Sequence, residues 1–166
     1  YGDSNRQNHS SYSVIEENLF ENCNGDVEVI SVKTTEMILR RNTLRYCRGS
    51  LVLRHGDSCR VEHNFILDGH GGIRVYGDNH KILGNYLTNN TNYTGIPRKI
   101  PAYCAIAIGN GDRADLANGQ NTYDQPENCI VAYNTLVNNL GYNITLGVFG
   151  TAEFPAKNIT VANNII

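Results

Sequence analysis

Six segments of the chain repeat one arrangement of apolar and polar positions: a branched aliphatic residue, two variable residues, an asparagine, one variable residue and an apolar residue. They are IEENLF (15–20), LRRNTL (39–44), VEHNFI (61–66), ILGNYL (82–87), VAYNTL (131–136) and VANNII (161–166). Their asparagines are Asn18, Asn42, Asn64, Asn85, Asn134 and Asn164, spaced 24, 22, 21, 49 and 30 residues apart. Between them lie second runs that follow Gly or small residues and alternate with period 2: GDVEVI (25–30), GSLVLRH (49–55), GGIRVYG (71–77), CAIAIGNG (104–111) and ITLGVFG (144–150). Period 2 predicts strands. A unit of about 22 residues with short strands and an asparagine turn buries its inward side chains only by stacking on its neighbours. The pattern therefore predicts an all-β chain, a right-handed parallel β-helix of about six coils with an asparagine ladder inside one turn, forming a single domain over 1–166. An antiparallel β-sandwich is the alternative, but it gives no reason for asparagine to return in register.

Composition supports the strands. The chain holds 23 Asn and 16 Gly in 166 residues, both poor helix formers, with one Met and no Trp. No apolar run approaches the ~20 residues that span a bilayer, so a membrane role is not expected. A net charge of −2 with 18% charged residues argues against general nucleic-acid binding. The five cysteines read as small packing residues: Cys23 and Cys47 lie five residues after a ladder asparagine, Cys59 and Cys129 five before one, and Cys104 begins a strand.

The long spacing between Asn85 and Asn134 leaves two extra segments, 88–101 and 110–128, expected to wall a groove. Their Arg98, Lys99 and Arg113 suit a polyanion. Aligning the second strands on their leading Gly puts Val27 and Val29, Leu51 and Leu53, Ile73 and Val75, and Ile106 and Ile108 inward. Asp26 and Glu28, Val52 and Arg54, and Arg74 and Tyr76 then face outward, followed by Ala105 and Ala107, with Lys33 at nearly the same angular position as Arg54 and Arg74. His55 and His80 are expected close to this face. Such a patch has two readings: a charge-balanced surface ladder, or a site for an acidic polysaccharide. In the second, arginine forks bind uronate carboxylates, a lysine crowded by cations acts as a base, and Asp26 with Glu28 offers oxygen to a hard cation. Neutralising the carboxylate makes the C5 proton more acidic, which is the chemistry of β-elimination.

The stretches ENCNGDVEVISVKT (21–34), NTLRYCRGSLVLRHGD (42–57), VEHNFI (61–66) and GGIRVYGDNH (71–80) resemble polysaccharide lyase family 6, the alginate lyases and chondroitinase B. The most specific parts are the lysine of VKT and the LRHG motif 21 residues later. The resemblance implies Lys33 as Brønsted base, Arg54 as Brønsted acid, and Asp26 and Glu28 in calcium-binding positions. It also implies substrate contacts from His55 and Arg74, with Tyr76 and His80 expected beside them. The family carries Glu where Asp26 stands and Asn where Val32 stands, and its third calcium ligand, an asparagine of an earlier coil, would precede Tyr1.

The expected function is cleavage of a uronate-containing polysaccharide, foremost alginate. Chondroitin or dermatan sulfate is the alternative substrate, and a non-catalytic glycan-binding β-helix the alternative class. An enzyme of this kind is expected to be secreted or periplasmic in a bacterium. Family members carry further coils, so the chain reads as the middle of a longer helix, with open coil ends prone to self-association.

Overall fold

In the computed structural model, which describes residues 1–91, 104–147 and 153–166, the repeat becomes a stack of coils. The strand-like runs fall into three parallel sheets, one strand per coil. The first holds β1 (Val14–Glu16), β4 (Ile38–Arg40), β7 (Arg60–Glu62), β10 (Lys81–Leu83), β13 (Ile130–Ala132) and β16 (Thr160–Ala162) in that order. The second holds β2 (Leu19–Glu21), β5 (Thr43–Arg45), β8 (Phe65–Leu67), β11 (Tyr86–Thr88) and β14 (Thr135–Val137). The third, which forms the face of interest, holds β3 (Glu28–Lys33), β6 (Ser50–His55), β9 (Ile73–Val75), β12 (Cys104–Ile108) and β15 (Tyr142–Leu146). This is the expected parallel β-helix, and a single 3-10 turn at Ser4–Arg6 is the only helical element among the described residues.

The turn between the first and second sheets explains the asparagines. The residue before each is in the left-handed region, as at Glu17, Arg41, His63, Tyr133 and Asn163 (φ 53 to 60°), so the chain bends sharply and frees a backbone N–H. The next coil's asparagine satisfies it: Asn64 Oδ1 accepts from Asn42 N (3.0 Å) and Asn42 Nδ2 (3.1 Å), while Asn64 Nδ2 donates to Leu39 O (3.0 Å). The same bonds link Asn18 to Asn42, Asn64 to Asn85, Asn85 to Asn134 and Asn134 to Asn164. A second, shorter ladder joins Asn90 to Asn139 through Nδ2 and Oδ1 (2.9 Å). It continues the column that Cys23 and Cys47 begin.

Inside the coils, aliphatic residues stack by register. Leu51, Ile73, Ile106 and Ile144 form one column and Leu53, Val75 and Ile108 another. The first coil differs from the sequence expectation. Ile30 and Val32, rather than Val27 and Val29, sit inward against Leu51 and Leu53, because a bulge at Val29 shifts β3 relative to β6. The cysteines are free thiols; Cys47, Cys59 and Cys129 are buried. Burial pushes the thiol pKa of Cys59 and of Cys129 up to about 12, which makes them inert packing groups.

Candidate active site

Val32 pairs with Leu53, and a second register shift, between Val32 and Lys33, sets Lys33 opposite His55 on the neighbouring coil, so that Lys33 and Arg54 each follow an inward residue, Val32 and Leu53. Tyr76 follows the inward Val75 at the same level on the next coil. Arg74 belongs to a parallel row one residue pair back, between Val52 and Ala107. Lys33, Arg54 and Arg74 thus share the outer face of the third sheet but occupy two rows, where the sequence suggested one.

Glu28 ties the two rows together. Its Oε1 accepts from Arg54 Nη1 at 2.9 Å and from Arg74 Nη2 at 2.6 Å, and all three side chains are 22% exposed or less. Lys33 has no carboxylate partner among the described residues. The site therefore carries three cationic groups against one bridging carboxylate, a surplus of positive charge suited to an anionic ligand. Asp26 is exposed and its Oδ1 accepts from Val27 N.

Asp26 and Glu28 are the residues expected to offer oxygen to calcium. The inner oxygen of Glu28 is turned to two guanidiniums, and no group of three or more His, Cys, Asp or Glu side chains gathers to hold a metal ion among the described residues.

Residues 111–125 form a strap along one side of this face. Near its start, Gly111 N donates to Phe154 O (2.8 Å) and Asp112 N to Tyr123 O (2.7 Å). The strap's tip reaches the N-terminal segment, where four hydrogen bonds latch it. Gly119 N donates to Ser4 O (2.8 Å) and Gln7 Nε2 to Ala117 O (2.6 Å). Asn8 N donates to Asn118 Oδ1 (3.0 Å) and Asn8 Nδ2 to Leu116 O (3.0 Å). The returning limb lies over the site: the Tyr123 ring stacks on Tyr76 (4.1 Å between centroids, 15° between planes), and Arg54 lies 5.4 Å from the Tyr123 centroid. Of the two segments expected to wall the groove, 110–128 borders this face; 92–101, with Arg98 and Lys99, lies outside the described residues.

His55 is fully buried beneath the strap, where its Nε2 donates to Thr122 O at 3.0 Å. Burial first, and then the charges of Arg54 and Lys33, lower its pKa from the usual value to about 4. It is a neutral imidazole with its Nδ1 lone pair buried and, among the described residues, unpartnered. Tyr76, expected on the open face, is 1% exposed because Tyr123 covers it. The other expectation corrected is His80. It lies in the core between Cys59 and Cys129, its Nδ1 accepting from Cys59 N (3.0 Å) and its Nε2 donating to Tyr76 O (2.8 Å), so it braces the coil and cannot meet a ligand. Thr122, Tyr123 and Asn121 are the site neighbours that sequence reasoning did not single out.

The family model described as chondroitinase B matches residues 1–166. A PL6 family alginate lyase, AlyGC, is similar over 95% of this chain and 21% of its own, with 32% identity and a TM-score of 0.80. The alginate lyase AlyF-OU02, solved in complex with G6, is 26% identical with a TM-score of 0.80, over 98% of this chain and 38% of its own. A mannuronic acid specific polysaccharide family 6 lyase from human gut microbiota is 25% identical with a TM-score of 0.78, over 99% of this chain and 38% of its own. The chain thus spans between about a fifth and two fifths of the length of these proteins. No curated protein matches the sequence.

Proposed function

The chain belongs to the chondroitinase B family, polysaccharide lyase family 6, and on that premise we propose that it serves a lyase that cleaves alginate by β-elimination. The observation that carries this reading is the juxtaposition of Lys33 and Arg54 on adjacent coils, with Arg74 held beside them through Glu28. Elimination needs a base, an acid and a neutralised carboxylate, and no nucleophilic side chain.

In the proposed reaction, the uronate carboxylate lies against the guanidinium of Arg74, which withdraws charge and stabilises the enolate-like electron density that develops as C5 loses its proton. Lys33, acting as the base, takes that proton. The electron pair forms the C4–C5 double bond, the C4–O4 bond breaks, and the leaving oxygen receives a proton at Arg54. The product is an unsaturated sugar at the new non-reducing end. The solved relatives named above favour alginate; the family model's description keeps dermatan and chondroitin sulfate as the second substrate reading. An enzyme acting on such a polymer works outside the cytoplasm, in a secreted or periplasmic setting.

Purified protein incubated with alginate is expected to raise the ultraviolet absorbance of the unsaturated uronate, and Lys33→Ala to abolish the rise. No rise with alginate but a rise with dermatan sulfate would move the substrate. No rise with either, together with calorimetric binding of alginate oligosaccharides, would replace the lyase by a glycan-binding module.

A further inference from the structure

The Arg54 guanidinium is restrained on two sides and accessible at its Nη2. Its Nη1 is engaged by Glu28 (2.9 Å), and one face lies toward the Tyr123 ring at 5.4 Å. Among the described residues its Nε is buried without a partner, and Nη2 has only a long contact, 3.5 Å, to Asn121 Oδ1. Nε–H and Nη2–H point the same way and form the fork with which arginine grips a carboxylate or an oxyanion side-on. Nε is enclosed, so Nη2 is the nitrogen of this edge that a ligand can reach and that the protein leaves almost unused.

The ring that limits this guanidinium is itself held from behind. Tyr123 stacks on Tyr76, and the Tyr76 ring lies against Gly109 so closely that a Cβ at that position would collide with it. The order Gly109, Tyr76, Tyr123, Arg54 transmits the rigid backbone of β12 to a long side chain that otherwise samples many rotamers. The contacts are made by ring faces, a cation over an aromatic face and an offset stack.

We propose that Tyr123 is a positioning residue for the reaction, holding the Arg54 guanidinium with its Nη2 toward the leaving oxygen while the latch at residues 4–8 holds Tyr123. This rests on the lyase reading above. Glu28 fixes one end of the guanidinium and Tyr123 its plane. With the ring removed the charge of Arg54 stays, but its direction is lost, so the effect falls on the chemical step rather than on the affinity for an anionic chain.

The test compares Tyr123→Ala and Tyr123→Phe by steady-state kinetics on alginate and by the hydrogen exchange of the Arg54 Nε–H resonance in a nitrogen-15 labelled sample. In Tyr123→Ala, kcat is expected to fall by about ten- to a hundredfold with KM nearly unchanged, and the Nε–H to exchange faster. Tyr123→Phe, which keeps the ring, restores both. Because Tyr123→Ala could lose its fold, Asn8→Ala serves as a second variant: it loosens the latch without touching Arg54 and is expected to move both readouts the same way. Unchanged kcat and exchange in a folded Tyr123→Ala, or a Phe variant as impaired as the Ala variant, overturns the proposal. If wild-type protein yields no unsaturated product, the lyase reading fails separately, and the exchange measurement still decides whether the ring holds Arg54.

Discussion

A single oxygen of Glu28 accepts hydrogen bonds from Arg54 Nη1 and Arg74 Nη2, joining residues 26 and 46 positions apart in sequence. Without that negative charge, two half-buried guanidiniums repel each other across a neutral side chain. Breaking a buried ion pair by removing one partner costs ~3–5 kcal/mol, and partial solvent access reduces the figure. Glu28→Gln is therefore expected to lower the unfolding free energy by about 2–3 kcal/mol, read from urea titrations. Adding Arg74→Met removes the repulsion and is expected to restore part of the loss. A Glu28→Gln protein as stable as wild type would show that solvent already screens the two arginines.

Under the strap, Asp124 has its pKa raised to about 7, first by burial and then by Asp57, Asp78 and Asp115. A carboxyl whose folded value lies above its unfolded value stabilises the fold below the unfolded pKa and loses that contribution as pH rises toward the folded one. Asp124→Asn stays neutral throughout. The variant is thus expected to match wild type near pH 4 and to exceed its stability by about 2–4 kcal/mol at pH 8. The contribution of His55 runs the other way, since its lowered pKa, about 4, removes stability as pH falls from its usual value. Urea midpoints at both pH values check this, and an equal gain at pH 4 would count against a titrating Asp124.

The latch also sets how often the strap opens. Asn8 gives two of the four hydrogen bonds that hold the strap tip, through its N–H and its Nδ2. Only the side-chain bond is lost in Asn8→Ala, and a hydrogen bond of this kind contributes about 1 kcal/mol net. The open strap should then be about five- to tenfold more populated, and tryptic cleavage after the exposed Arg113 faster by a similar factor. Mass spectrometry of a digestion time course measures it. Unaltered cleavage would mean that Gln7 and Gly119 suffice.

Why some features were legible in the sequence and others were not follows from the residues themselves. The ladder asparagines return with a fixed neighbourhood, and few other side chains both donate and accept within a turn, so they expose the β-helix directly. The bulge at Val29 was hidden because DVEVISV alternates acceptably in two phases, one burying Val27 and Val29 and the other Ile30 and Val32. His80 was misplaced although a signal existed: like Met37, Cys59 and Cys129 it lies five residues before a ladder asparagine, and that column is buried. The strap's grip on Arg54 and His55 had no such signal, because contacts 67 residues apart between a loop and a strand leave no periodicity.

The ladder also sets where the coil stack is most vulnerable. Asn64 is fully buried, and its side chain accepts from Asn42 and donates to Asn85 and to Leu39 O. In Asn64→Ala the Asn42 N–H, the Leu39 carbonyl and the Asn85 Oδ1 each lose a bond in a place water does not reach. A buried group left unsatisfied costs ~1–3 kcal/mol, so the variant is expected to be destabilised by about 3–5 kcal/mol. Asn18→Ala, at the exposed end of the same ladder, leaves its neighbour's side chain open to other partners and is expected to cost about 1 kcal/mol. The contrast between the two, measured by thermal or urea unfolding, distinguishes a ladder that works by satisfying buried backbone from one whose asparagines are merely tolerated in a left-handed turn.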